Sequence, residues 1–204
     1  MQIQRYRSAE RISHWIVAIS FGLAALSGLS LFHPALFWLS NLFGGGPWTR
    51  ILHPFIGVVM AATFGVMAMQ FWHHNLMTAV DWQWLRQWRD VLANREENLP
   101  RLGRYNAGQK GLFWVLVLCM LVLTVSGVVF WRPWFAYFFP IDAVRLASLL
   151  HALAAVALIL AIIVHMYAAF WTKGSIRAMV RGTVSVRWAA RHHAQWLDEK
   201  MKQG

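Results

Sequence analysis

The sequence predicts an all-α integral membrane protein, a four-helix bundle with both termini in the cytoplasm. Three observations carry that reading. First, four stretches contain no Asp, Glu, Lys or Arg: 15–32, 51–72, 111–131 and 147–171, of 18, 22, 21 and 25 residues. A helix needs ~20 apolar residues to cross the hydrocarbon core of a bilayer. Second, 58% of the 204 residues are hydrophobic and 13% are charged, against about a quarter charged in an ordinary soluble domain. Third, sixteen of the nineteen Lys and Arg residues fall in the N-terminus, the second loop and the tail, leaving Arg50, Arg132 and Arg145 for the other two loops. The positive-inside rule then puts both termini and the second loop on the cytoplasmic side.

The elements follow in order. The span at 15–32 is longer than the roughly 7–15 apolar residues of a secretory signal, and no A-x-A-like site follows it, so it reads as a membrane helix. Gly44-Gly45-Gly46-Pro47 in the first outer loop is a breaker cluster that stops any helix before the span at 51–72. The inner connection 73–110 is long and mixed in charge, and its Trp82, Trp84, Leu85 and Trp88 suggest an amphipathic helix on the membrane surface. The span at 111–131 carries Cys119, the single cysteine, which suits packing and excludes a disulfide framework or a zinc cluster. After the span at 147–171, the cytoplasmic tail at 172–204 reads similarly as a surface amphipath, with Val180, Val184, Trp188 and Trp196 among basic residues. Trp15, Trp72, Trp131, Trp134 and Trp171 mark span ends, as an interfacial aromatic belt requires. No internal repeat or low-complexity tract is evident, so residues 1–204 read as one membrane domain. The formal charge of +11 is a topology signal and a contact for anionic membrane lipid, with no nucleic-acid partner.

Histidines inside or at the edge of the spans carry the chemistry, because an ionisable group within a membrane is costly and marks function by default. His53 and His151 lie near the outer ends of the second and fourth spans, while His14 and His165 lie at inner depth on the first and fourth. His151 and His165 are fourteen residues apart, which on a helix means ~21 Å of rise and only ~40° of rotation. One helix thus offers two imidazoles on one side at two depths, each with a partner at matching depth on another helix. Neutral imidazole is an axial ligand of haem iron, and a pair of them leaves no open coordination position. The constellation therefore predicts two b haems, one held by His53 and His151 and one by His14 and His165. For each histidine alone, a buried imidazole bonded to a neighbouring carbonyl is the competing reading. His73 and His74 compete with His14 as inner ligands or snorkel at the interface. His33 precedes Pro34 at an outer turn, and His192 and His193 fall in a solvated tail.

Several ordered motifs resemble the gamma subunit of respiratory formate dehydrogenase, a diheme cytochrome b. They are Ser13-His14-Trp15, Ile51-Leu52-His53-Pro54-Phe55, Tyr105-Asn106-Ala107-Gly108-Gln109-Lys110, Trp131-Arg132-Pro133, His151-Ala152-Leu153-Ala154 and His165-Met166-Tyr167, with Phe170-Trp171 and Lys173-Gly174-Ser175 following. The family's four haem-ligand positions coincide with His14, His53, His151 and His165. The resemblance implies a bacterial inner-membrane subunit that takes electrons from formate by way of a molybdenum- or tungsten-containing alpha subunit and an iron–sulfur beta subunit. It implies that these electrons enter at the outer haem and leave from the inner one to menaquinone or ubiquinone. It also implies a quinone pocket at Asn106–Gln109, involving Asn106, Gly108 and Gln109.

On the residues themselves, Asn106 and Gln109 have the spacing of a helix-capping box, and their amides have the donors a quinone carbonyl accepts. Arg50, Arg132 and Arg145 outside, and Arg11, Lys110 and Lys173 inside, are either partners of haem propionates or snorkelling cations. Other readings are the same scaffold serving a hydrogenase or thiosulfate reductase, and a haem-free anchor or transporter. The absence of Asp and Glu from the spans counts against a proton-coupled transporter.

Overall fold

The computed structural model describes residues 1–93, 95 and 98–203, the side chain of 203 excepted. Positions 94, 96 and 97 of the long inner connection, and the last residue of the tail, lie outside the described residues. About 80% of the chain is helical. A strand β1 (Gln2–Gln4) precedes the first long helix α1 (Ser8–Phe32), and a 3-10 segment at Pro34–Phe43 leads to α2 (Gly46–Phe71). The inner connection holds a 3-10 turn (Trp72–Asn75), α3 (Ala79–Arg86) and α4 (Trp88–Leu92). Then come α5 (Ala107–Val129), a 3-10 turn (Ala136–Phe138) and α6 (Ile141–Trp171). The tail folds as α7 (Ser175–Arg181), β2 (Thr183–Ser185), α8 (Val186–His192) and α9 (Ala194–Gln203).

Among the described residues four helices are long and apolar enough to span a membrane, and each corresponds to one charge-free stretch. The helices α1, α2, α5 and α6 begin at 8, 46, 107 and 141, four to seven residues before those stretches. Backbone hydrogen bonding favours continuing the helix through the interface, where charged side chains still reach water. The breaker cluster acts as expected: Gly44 and Gly45 take φ of +85° and +93°, a region that suits residues without a Cβ. The chain then enters α2 with Pro47 in the first turn, where a missing N–H costs nothing. Only 11–22% of the most apolar window in each long helix is buried against protein. The outward Leu, Ile, Val and Phe side chains therefore need lipid.

The chain forms two compact units. The first comprises Ile12–Met69 and Val115–Val164. Its core joins Met60 and Phe64 of α2, Cys119 and Met120 of α5, and Leu158 of α6, with Val17, Phe21 and Ala24 of α1 packed against them. Cys119 packs in this core as its position suggested.

The second unit comprises Met1–Arg11, Gln70–Trp114 and His165–Gly204. Here β1 pairs antiparallel with β2, with Ile3 opposite Val184. Ala178, Val184, Ala189 and Trp196 form its core, and Ile3, Tyr6, Trp188 and Leu197 pack onto them. The tail differs from the surface amphipath expected of it, because Val184 and Trp196 turn inward to a partner strand supplied from the other end of the chain. His193, expected in a solvated tail, is 3% exposed. The helix expected around Trp82–Trp88 forms as α3, with a Thr78–Asp81 capping box at its start. It stops at Gln87, so Trp88 opens a separate short helix.

Candidate functional site

His53 in α2 and His151 in α6 come together in the first unit, with ring centroids 6.2 Å apart and planes at 70°. Each is held by a serine from the preceding long helix. Ser27 Oγ of α1 lies 2.8 Å from His53 Nδ1, and Ser126 Oγ of α5 lies 3.0 Å from His151 Nδ1. Each hydroxyl donates its proton backwards along its own helix: Ser27 to the carbonyls of Leu23 and Ala24 at 2.7 and 3.1 Å, and Ser126 to those of Val122 and Leu123. A hydroxyl has one proton to give, so towards the imidazole each serine is the acceptor. The tautomer that matches this pairing carries hydrogen on Nδ1 and keeps a lone pair on Nε2.

The close approach is made possible by the residue after each serine. A Cβ on Gly28 would sit 3.2 Å from His53 Cε1, and a Cβ on Gly127 would sit 3.4 Å from His151 Cε1. Phe130 packs edge-on against His151, with centroids 5.0 Å apart.

This arrangement fits a haem iron. Two imidazoles bound through nitrogen on opposite faces of one first-row metal ion have centroids about 6.3 Å apart, given metal–nitrogen bonds near 2.0–2.1 Å. Among the described residues no group of three or more His, Cys, Asp or Glu side chains gathers as a metal site. A pair of imidazoles is a sufficient donor set for iron that brings its own porphyrin nitrogens. One turn along from His53, a Cβ on Gly57 would meet nothing within 4 Å.

Of the other expected ligands, His14 lies in α1, edge-on to Trp15 at 5.5 Å, and His165 lies in α6. His14 belongs to the first unit and His165 to the second. His73 stacks on Trp72 with centroids 4.2 Å apart. His74 Nε2 faces Arg104 Nη1 at 3.4 Å. His33 caps the 3-10 segment, its Nδ1 accepting from the Ala35 N–H at 3.2 Å.

The loop expected at the quinone forms its capping box in full. Asn106 Oδ1 accepts from the Gln109 N–H at 2.9 Å, and Gln109 Oε1 accepts from the Asn106 N–H at 3.0 Å. Both carbonyl oxygens are thereby committed to the start of α5, while capping makes no use of the two amide NH2 groups. Gly108 sits beside this box, a Cβ there lying 3.4 Å from both Asn106 Oδ1 and the Trp84 ring.

Lys110, expected as a propionate partner or a snorkelling cation, is neither. Its Nζ lies 2.6 Å from Asp81 Oδ2 and 3.0 Å from the Leu76 carbonyl. The pair is buried, with side chains 9% and 2% exposed. Burial pushes the Asp81 carboxyl up, but the hydrogen bonds from Lys110 and Thr78 outweigh it and hold the carboxyl below its usual range. Arg50 lines an open depression of about 350 Å³ with Ser30, His33 and Phe37.

Several residues with long-range contacts escaped the sequence reading. Ser27, Ser126 and their glycines were legible only as a Ser-Gly pair recurring 26 and 25 residues before His53 and His151. Arg5 is 4% exposed and stacks within 4.5 Å of the Trp196 ring centre, while its Nη2 reaches His193 Nε2 at 3.2 Å. Nothing local marks an N-terminal arginine as buried.

The chain matches the family model described as prokaryotic cytochrome b561 over residues 5–182. It is 48% identical over 200 residues to the formate dehydrogenase cytochrome b556(fdo) subunit of Escherichia coli K12, covering 98% of this chain and 94% of that one. It is 46% identical over 197 residues to the nitrate-inducible formate dehydrogenase cytochrome b556(Fdn) subunit of the same strain, covering 97% and 91%. The formate dehydrogenase cytochrome b556 subunit of Haemophilus influenzae is 41% identical over 200 residues, covering 98% and 84%. A facing pair of imidazoles in a four-span scaffold is what a b-type cytochrome requires, and the chain belongs to the prokaryotic cytochrome b561 family, among the formate dehydrogenase cytochrome b556 subunits.

Proposed function

We propose that the chain is the membrane electron-transfer subunit of a respiratory formate dehydrogenase in the bacterial inner membrane. In this reading it receives electrons from an iron–sulfur beta subunit on the periplasmic side, fed by a molybdenum- or tungsten-containing alpha subunit that oxidises formate. Quinone, menaquinone or ubiquinone, takes them near the cytoplasmic side, where both termini lie. The observation that carries the reading is the facing of His53 and His151 at 6.2 Å, with both Nδ1 atoms engaged by serines. The names of the relatives supply the formate dehydrogenase context.

Haem supplies one-electron transfer without an open iron position when two imidazoles flank it. His53 and His151 hold the outer group. His14 and His165, at inner depth on α1 and α6, hold the second by the same chemistry. The charge-free spans exclude water and ions from the route between them. At the inner end Asn106 and Gln109 offer amide N–H donors to a quinone carbonyl, and Gly108 allows close approach of the ring. Electrons crossing inward to a quinone that takes its protons from the cytoplasm charge the membrane, at about 2.3 kcal/mol per charge against 100 mV.

The test is formate-driven reduction in the assembled complex. Formate should reduce both b haems, and His53→Ala should stop electrons from reaching the inner haem while formate oxidation by a soluble dye continues. Full inner-haem reduction by formate in that variant would overturn the outer-to-inner route.

A further inference from the structure

Serines in membrane helices ordinarily return their hydroxyl proton to a carbonyl three or four residues back, and nothing more. Thr124 does only this, donating to the Met120 carbonyl at 2.7 Å, and Ser30 likewise donates to the Ser27 carbonyl at 2.7 Å. Ser27 and Ser126 do this and also meet an imidazole nitrogen. Both are buried, at 0% and 5% exposure. Both are followed by a glycine that lets the ring approach the helix. The same device thus occurs twice, once from α1 onto α2 and once from α5 onto α6, on the two rings that face each other.

We propose that Ser27 and Ser126 are positioning residues that set the tautomer, orientation and donor strength of His53 and His151, and through them the reduction potential of the outer haem. The inference rests on the haem reading above and extends it to residues that never touch the iron. A hydroxyl whose proton is committed to the helix backbone can only accept from Nδ1–H. That excludes the tautomer with hydrogen on Nε2, which has no lone pair for iron. Accepting from Nδ1–H also draws that proton away from the ring and raises the electron density at Nε2. A stronger donor favours ferric over ferrous iron, so these serines hold the outer potential down. The two contacts are alike in length, so the two serines contribute alike.

The experiment is potentiometric titration of the assembled complex, reading the two b haems separately by visible and electron paramagnetic resonance spectra. The outer haem is assigned as the signal lost in His53→Ala. Ser27→Ala and Ser126→Ala should each raise the outer midpoint potential and shift the g-values of its ferric signal, leaving the inner haem unmoved. Ser27→Thr and Ser126→Thr, which keep the hydroxyl, should return both towards the wild type. Loss of the outer haem in an alanine variant, restored by threonine, also supports the role, because the wrong tautomer cannot ligate. An outer potential and g-values unchanged in both alanine variants would overturn it and reduce the serines to helix back-bonding. Loss of outer haem that threonine does not restore would overturn it as well, assigning the serines to packing. Absence of haem from the wild-type complex would remove the haem reading itself and this proposal with it, an outcome distinct from an unchanged potential.

Discussion

His53 and His151 face one another across 6.2 Å between ring centroids, although 98 residues separate them in the chain. Each ring is pinned at Nδ1 by a serine of its neighbouring helix. With Nδ1 engaged, Nε2 is the ring nitrogen that each histidine would have for iron under the proposed haem assignment.

The glycines behind the rings should be as sensitive as the ligands. Gly28→Ala places a methyl 3.2 Å from His53 Cε1, and Gly127→Ala places one 3.4 Å from His151 Cε1. The Gly28 methyl asks the His53 ring to give by a few tenths of an ångström, and the Gly127 methyl brings His151 to the limit of ordinary contact. Affinity for the outer haem should fall about tenfold, as loss of the groups that orient a ligand commonly does. Gly28→Ala should be the more severe, since its contact is shorter. Haem content of the two variants checks this, and full occupancy in both would show that the rings are free to yield.

Capping and the proposed quinone binding at Asn106 and Gln109 would use different atoms and can be separated. Asn106→Asp and Gln109→Glu keep the oxygens that accept from the Gln109 and Asn106 N–H groups but remove the amide donors. The variants should fold and keep their haem spectrum, with reoxidation by quinone slowed about ten-fold or more, the scale of one lost hydrogen bond. Stopped-flow reoxidation measures it; wild-type rates would confine this pair to capping.

The Lys110–Asp81 pair fastens the start of α5 to α3. Asp81 is 2% exposed, so Lys110→Met leaves a buried charge and should cost about 3–5 kcal/mol, whereas Asp81→Asn with Lys110→Met together should cost far less. Because the carboxyl is held below its ordinary 3.8, the stability it contributes is present above that value. It is lost as pH falls through the lower folded-state value. Thermal unfolding of single and double variants in detergent checks the order.

Sequence and structure part company most instructively at the two ends of the chain. The four spans were legible because bilayer thickness dictates their length, and the facing of His53 and His151 because an imidazole within a membrane is costly and marks function. The serines were not, since a hydroxyl in a membrane helix satisfies itself locally and carries no pattern. The fold of the tail was not legible either. Its core residues Val184 and Trp196 become interior only when Ile3 and Tyr6 arrive from the N-terminus, a pairing that no local window contains.

That tail carries its own pH dependence. Burial, reinforced by Arg5, pushes His193 down to about 3, so the ring is neutral when folded: its Nδ1–H donates to the Gly103 carbonyl, and its Nε2 accepts from the Arg5 guanidinium, which only the neutral ring can do. An unfolded histidine titrates near 6.5. The stability tied to this ring is complete above that value and declines as pH falls towards 3, by about 1.4 kcal/mol per unit for one proton. His193→Gln should flatten the fall in melting temperature between pH 7 and 5; an unchanged slope would place the titration elsewhere.

The central claim is that the four span histidines hold two b haems, and haem content per chain tests it most directly. A pyridine haemochrome assay on the purified complex should give two b haems per copy of this chain, falling to one in His53→Ala and to one in His165→Ala. Two haems retained in either variant, or none in a folded wild-type preparation, would contradict the assignment.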